Sequence, residues 1–467
     1  MNNLSKVITG ILATVMILST AACGNGNSAS DNRNEKESND FTDSAEYTID
    51  ATGSPYAEGI KLKPLKDATV VYMTNTTWEF ICNENLEESP TPYYHAMKIW
   101  KEVYGTDVTI ELVDWDSYTN HLITAVASGE APDVMRYYEE TRHPVWPVRN
   151  LIAPLEDYMS LDDPDYNIEY SKRLAINGKI YALFGQSMNL PRKSIVYNKT
   201  KLEQAGKKTP LDYAKDGEWT WTNFVKLCKE MTRADKNDYG LGGWGMPSAL
   251  PLVYLAADGK VVNNIDNPDY RTFYSKMYDL VVTDGAVRRS SDRMERKTTM
   301  PKGQDAMSFI ETQEYPQILK EAKESGGNYE FGIAPIPVYD YLGDTGVRGA
   351  NNCTFVGMAI SAAPKNPEAA AEFVRLVTKV ATNITKKSGK FGVLTNSLSE
   401  DEKEVFGNLK YEKDTDFVDI QSAITGASKY QDTIWGSANV TKTAAQLLEA
   451  DKANLEASIA EFENTIG

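Results

Sequence analysis

The chain has 467 residues, 41% of them apolar and 25% charged, which supplies a sizeable core and length for roughly two to four domains. Lys and Arg number 49 against 66 Asp and Glu, a net charge of −17, so the basic excess that a phosphate-tracking nucleic-acid surface needs is missing. No run of 18 apolar residues follows the first two dozen positions, which excludes a polytopic membrane domain, and His95, His121 and His143 lie far apart without Cys partners, which excludes zinc-type ligand spacing.

Residues 1–22 read as a secretory signal: Lys6 is the side-chain cation, Val7 to Leu18 the apolar stretch, and Ser19-Thr-Ala-Ala22 the small-residue cleavage region. The string Leu18-Ser-Thr-Ala-Ala-Cys23-Gly24 resembles a bacterial lipobox, with Thr20 where Leu is usual; it implies lipidation of Cys23, against the plainer reading of a secretion signal with an incidental Cys. Residues 23–50 are rich in Asn, Ser, Asp and Glu and read as a disordered tether, since they bury too little apolar surface to offset their ordering entropy. Cys82, Cys228 and Cys353 have unrelated spacings and read as buried thiols, although one pair is free to form outside the cell.

Strand and helix signals alternate from Ala68. Ala68-Thr-Val-Val-Tyr-Met73 reads as a strand running into the loop Thr74-Asn-Thr-Thr-Trp78, and a helix follows around Tyr94 to Val103. Val108 to Val113 is a second strand. A helix from about Ser117 carries Leu122, Ala125 and Val126 on one face and stops at Gly129, with Pro132 beyond and a strand from Val134. This order argues for βαβ units and a mostly parallel sheet. Lys179 to Phe184 and Ser194 to Tyr197 read as strands, and Thr220 caps a helix with Phe224, Leu227, Cys228 and Met231 at helical spacing. Phe331 to Pro337 and Phe355 to Ile360 are extended. Asn366-Pro367-Glu368 starts a helix with Phe373, Val374 and Val377 inward, and Leu448, Leu455, Ile459, Phe462 and Ile466 give a terminal helix.

The strings Ala127-Ser-Gly-Glu-Ala-Pro-Asp-Val134, Leu151-Ile-Ala-Pro-Leu-Glu-Asp-Tyr158, Asn177-Gly-Lys-Ile-Tyr181 and Tyr197-Asn-Lys199 with Leu202 to Gly206 come in a characteristic order. Trp219-Thr-Trp-Thr-Asn-Phe224, Gly303-Gln-Asp-Ala-Met307, Phe331 to Pro337, Phe355 to Ile360 and Lys365-Asn-Pro-Glu-Ala-Ala370 continue it. From about residue 66 to the end, this series resembles the extracellular solute-binding proteins of bacterial ABC importers, in the carbohydrate-receptor group that includes the maltose-binding proteins. The resemblance implies a two-lobed α/β fold of the periplasmic-binding-protein type, each lobe a mostly parallel sheet flanked by helices, with the ligand cleft between lobes. The expected organisation is a signal over 1–22, a tether over 23–50, first-lobe segments over 51–187 and 349–400, and second-lobe segments over 188–348 and 401–467. Crossings are expected near Phe184 to Asn189 and Gly346 to Asn352. The resemblance also implies a non-catalytic monomer without cofactor or metal, anchored on the outer face of the cell membrane, that closes on a carbohydrate and docks on ABC permease subunits.

A sugar site needs aromatic rings to stack on and carboxylate or amide groups for the hydroxyls, and in open α/β sheets loops at the carboxyl ends of strands are the favoured place. That rule selects Asn75, Thr77 and Trp78 after the first strand and Asp114, Trp115 and Asp116 after the second, where Trp115 has the alternative role of a cap on the next helix. Asp133, Tyr137, Tyr138 and Glu139 follow, with Asp133 alternatively pinning the turn after Pro132. On the second lobe the candidates are Trp244, Glu311, Tyr315 (where the family more often has Trp) and Trp435, with Asn351 at the second crossing. Gly240-Leu-Gly-Gly-Trp-Gly245 matches GxGxxG, but Pro247 and Pro251 stand where a dinucleotide-binding helix would begin, and the glycines read instead as an exposed cleft wall. Asp235, Asn237 and Tyr239 imitate the start of a calcium loop whose twelfth position is Met246 rather than Glu. Two other readings stay open: a secreted glycoside-cleaving enzyme with two carboxylates among its acids, and the same receptor fold for a peptide or polyamine.

Overall fold

Two four-stranded sheets, each covered on both faces, carry the fold. The computed structural model describes residues 47–75, 91–138, 142–185, 191, 193–242, 250–256, 260–289, 299–342, 356–388, 391, 394, 396–409, 417–436 and 440–466. In chain order the strands are β1 (Ile49–Asp50), β2 (Lys61–Leu62), β3 (Val71–Thr74), β4 (Thr109–Leu112), β5 (Val134–Tyr138), β6 (Lys193–Asn198), β7 (Tyr239–Gly242), β8 (Val253–Ala256), β9 (Val261–Asn263), β10 (Asp305–Glu311), β11 (Phe331–Pro335), β12 (Val356–Ile360) and β13 (Phe417–Asp419).

The first sheet has the order β12-β5-β3-β4, with β3 parallel to β4 and β5 and with β12 antiparallel to β5. The second has the order β11-β6-β10-β7, with β10 parallel to β7 and with β6 antiparallel to both its neighbours. The reversed strand in each case, β12 or β6, is the first that the chain makes after leaving the other sheet. A smaller antiparallel sheet, β13-β8-β9, shares the core cluster on one face of the second sheet, and β1 pairs with β2.

Period-two alternation explains why the sheets are apolar on both sides. On β3, Tyr72 enters the cluster of Trp100, Phe373 and Val374, whereas Met73 enters that of Tyr118, Tyr137, Trp146 and Phe184. On β6, Ile195 and Tyr197 face the cluster of Trp221, Phe224 and Phe309, and Val196 faces Ile310, Tyr315 and Phe406.

The helices start and stop where their caps dictate. Thr91 accepts a hydrogen bond from the Tyr94 N–H to open Pro92–Tyr104, which buries Tyr93, Ala96, Ile99 and Trp100 and ends at Gly105 with φ 71°. Tyr118–Ser128 ends at Gly129 with φ 72°. Thr220 caps Trp221–Met231, whose buried face is Trp221, Phe224, Leu227, Cys228 and Met231. Pro367–Ser388 packs along the first sheet with Phe373, Val374 and Val377 inward. Cys228 is a buried free thiol; Cys23, Cys82 and Cys353 lie outside the described residues.

Three expectations need correction. The ordered body begins earlier than residue 51: Ile49 and Asp50 form β1, and the Arg375 guanidinium lies 4.1 Å from the Tyr47 ring, because this end of the tether carries apolar and aromatic side chains. Lys179 to Phe184 forms no regular strand: it has the isolated bridges Ile176 to Lys179 and Leu183 to Met358, and the Ile180 and Phe184 carbonyls accept from the Leu155 and Asn167 N–H groups. The last return is earlier than residue 400: Phe391, Leu394 and Leu398 pack with Val196, Ile310 and Ile333 against the second sheet, since their apolar side chains fill the face that Val196 leaves open. The expected crossing residues 186–189 and 346–352 lie outside the described residues.

Candidate functional site

The carboxyl ends of β3, β4 and β5 meet on one rim of the first sheet. Asn75 follows β3, Asp114, Trp115 and Asp116 follow β4, and Tyr138 ends β5. The Tyr138 hydroxyl donates to Asn75 Oδ1 at 2.7 Å, and the Tyr138 ring meets Trp115 edge-on with centroids 4.9 Å apart. Trp115 is 41% exposed, unusual for an indole, and Asp114 and Asp116 beside it are exposed. Leu112, the last residue of β4, is 57% exposed. Beneath the indole sits Arg142, its guanidinium 4.7 Å from the Trp115 ring, 5.1 Å from Tyr118 and 5.6 Å from Trp146. Burial pulls the Arg142 pKa down from its usual value. Arg136 approaches the Tyr138 ring at 4.8 Å.

This arrangement offers a half-exposed ring for stacking, flanking carboxylates that accept hydroxyl hydrogens, and an amide whose carbonyl is fixed by Tyr138 while its N–H groups remain donors. Tyr138 and Arg142 contact the ring from two sides.

Other expected site residues have different places. Asp133 stands at the start of β5, the opposite end of the strand from the rim. It is 2% exposed, accepting from the Val71 N–H through Oδ2 at 2.8 Å and from the Asn366 N–H through Oδ1 at 2.9 Å. It therefore ties β3 to the start of Pro367–Ser388, a structural role across the fold rather than one in its own turn. Tyr137 is 1% exposed and its hydroxyl shares a 3.0 Å hydrogen bond with His143 Nδ1; alternation along β5 sends it into the core and its neighbour Tyr138 to the rim. Burial pushes the His143 pKa down to about 3.

On the second sheet, Glu311 ends β10 and pairs with Lys193 at 2.6 Å, both part-exposed at one strand end. Tyr315 is core: the helix Tyr315–Glu324 turns it inward, where its hydroxyl donates to the Phe331 carbonyl at 3.2 Å and burial raises its pKa. Trp435 is core as well, 1% exposed among the large cluster around Tyr274 and Ile434. Thr77, Trp78, Glu139, Trp244 and Asn351 lie outside the described residues.

Gly240 and Gly242 are buried strand residues rather than an exposed wall. A Cβ on Gly240 would fall 1.9 Å from the Cys228 carbonyl oxygen, and one on Gly242 would meet the Asp305 carboxylate at 2.2 Å, so β7 uses glycine for close approach. In the calcium-like string Arg288 donates to Asn237 Oδ1 at 2.7 Å, and the neighbouring Asp238 pairs with Lys201 and Arg233. Among the described residues no cluster of His, Cys, Asp and Glu is arranged for a metal, and no helix is long and apolar enough to cross a membrane.

Comparison with known proteins gives this geometry its family. Residues 83–383, well over half of the chain, match the family described as bacterial extracellular solute-binding protein. The chain belongs to the bacterial extracellular solute-binding proteins. No curated protein matches it in sequence. Solved structures of other solute-binding proteins share its fold. The lacto-N-biose-binding protein of a Bifidobacterium longum ABC transporter is 15% identical with a TM-score of 0.58, covering 86% of this chain and 98% of its own. The maltose/maltodextrin-binding domain from Bdellovibrio bacteriovorus, bound to maltotriose, is 14% identical with a TM-score of 0.58, covering 84% and 100%. A Thermotoga lettingae ABC transporter solute-binding protein with bound tagatose is 16% identical with a TM-score of 0.55, covering 86% and 100%. The two-lobed fold expected from the sequence is the one these relatives have.

The sequence reasoning missed one rim residue, Arg142, and named both Tyr137 and Tyr138, because which of two adjacent tyrosines faces outward needs the register of the strand.

Proposed function

We propose that this chain is the receptor subunit of an ABC importer, held to the outer face of the membrane through Cys23, which captures a sugar without altering it and delivers it to a permease as a monomer. The observation that carries the sugar assignment is the half-exposed Trp115, braced by Tyr138 and flanked by Asp114 and Asp116, at the strand ends where open α/β sheets bind ligands. Asn75 completes the first-lobe side. Glu311, at the corresponding strand end of the second sheet, supplies an acceptor from the other lobe, with Thr77, Trp78, Glu139, Trp244 and Asn351 as further contacts. Closure stabilises the bound state because the solute then touches both lobes at once.

The test is a thermal-shift screen of the full chain against mono- and oligosaccharides, peptides and polyamines, with the solute analysed afterwards. A solute at 100 times its dissociation constant stabilises the native state by about 2.7 kcal/mol. The expected result is a sugar hit recovered intact. A hit that is consumed would replace the receptor with a glycoside-cleaving enzyme, and a response to peptides or polyamines alone would overturn the sugar assignment.

A further inference from the structure

Among the described residues, one edge of the Arg142 guanidinium has no partner. Arg142 is 7% exposed, and its Nη1 donates to Thr119 Oγ1 at 3.1 Å. Its Nε and Nη2, which lie on the same side of the planar group, are buried and have no acceptor among the described residues. Those two donors form the fork that meets both oxygens of a carboxylate or phosphate side by side, and leaving charged donors unpaired in a buried place is costly. Thr119 does not fill the gap, because its hydroxyl oxygen also accepts from Trp146 Nε1 at 3.1 Å.

At two other buried arginines the chain fills the fork itself. Arg375 meets Glu372 through Nε at 3.0 Å and Nη2 at 2.8 Å, and Arg288 meets Asp305 through Nε at 2.7 Å and the Asn237 carbonyl through Nη2 at 2.8 Å. Arg142 differs in its position as well. It follows the end of β5 at the rim, lies against the exposed Trp115, and its helical neighbour Val145 packs on the core cluster of the second sheet as well as that of the first.

We propose that the Nε and Nη2 edge of Arg142 receives the carboxylate of an acidic sugar, a uronic-acid unit whose ring lies on Trp115. This rests on the receptor reading and names its substrate class. The solute reaches the buried edge by a rotation of the part-exposed Trp115 ring that covers the guanidinium. A single carboxylate matches the two free donors, whereas a doubly charged phosphate would also meet the exposed Asp114 and Asp116.

The experiment is calorimetric titration of the full chain with glucuronate, galacturonate and their dimers, each beside its methyl ester, the neutral glucose or galactose counterpart, and the sugar 6-phosphate. The expected result is that an acid binds at least tenfold tighter than its ester, and that Arg142→Lys, which keeps the charge but loses the fork, removes most of that preference. The comparison of acid with ester needs no variant, so it decides the matter even where Arg142→Lys fails to fold. An ester or neutral sugar that binds as tightly as the acid, or a phosphate that binds tightest, overturns the proposal while the receptor stands. Silence from every sugar overturns the receptor reading with it.

Discussion

Removing the Asp133 carboxylate separates a structural role from a ligand role. Its two oxygens accept from the backbone N–H groups of Val71 and Asn366, at 2.8 and 2.9 Å, so the side chain joins the central strand of the first sheet to the helix Pro367–Ser388. Asp133→Ala leaves both donors without an acceptor, and at about 1–3 kcal/mol for each such loss the change costs about 2–6 kcal/mol. For a chain of this size about 1 kcal/mol moves the melting temperature by roughly 2 °C, so the melt falls by roughly 4–12 °C. Asp133→Asn keeps the shape but turns an amide N–H toward one backbone donor, and it falls between the two. Sugar affinity, measured by calorimetry well below the melt, stays within twofold of the unaltered chain, because Asp133 stands at the far end of β5 from the rim. A melt within 1 °C of the unaltered protein, or a loss of sugar affinity without a loss of stability, would refute the reasoning and return Asp133 to the site.

Trp115→Ala weakens sugar binding: an indole of about 200 Å² that is 41% exposed offers about 80 Å² to a solute, worth about 2 kcal/mol or a factor of about 30 in the dissociation constant. Calorimetry checks this, and a change under threefold would remove Trp115 from the site. Gly240→Ala forces a Cβ onto the Cys228 carbonyl oxygen and costs about 1–3 kcal/mol, visible as a lower melt with normal binding in the surviving fold; an unchanged melt would deny the close approach. His143 is held neutral, its pKa depressed to about 3 from an unfolded value near 6.5, and His95 to about 4. The unfolded chain therefore binds more protons below pH 6.5, and stability falls as the pH drops from there toward about 3. Urea melts from pH 7 to pH 4 measure this, and His143→Gln flattens the slope; an equal slope in that variant contradicts the assignment.

The local elements were legible where one residue fixes the outcome. Gly129 in the left-handed conformation, Thr220 as a cap and Pro367 at a first helical position act through neighbours a few residues away, and the structure has each in that role. The aromatic candidates fared differently because burial is a long-range property. Trp115 is exposed and Trp435 buried, and the packing of Trp435 against side chains far away in the chain is what separates them. The choice between Tyr137 and Tyr138 turned on one residue of register, which propensity does not set. Arg142 left no signal of its own, since an arginine after a strand is ordinary until its partners are counted.

The most direct test of the account is a crystal structure of the chain with a sugar that it binds. The account predicts the sugar ring on Trp115, with hydroxyls in hydrogen-bond reach of Asn75 and of Asp114 or Asp116. A sugar found elsewhere, such as in the cavity of about 300 Å³ lined by Tyr274, Lys429, Tyr430, Thr433 and Asp451, would contradict it.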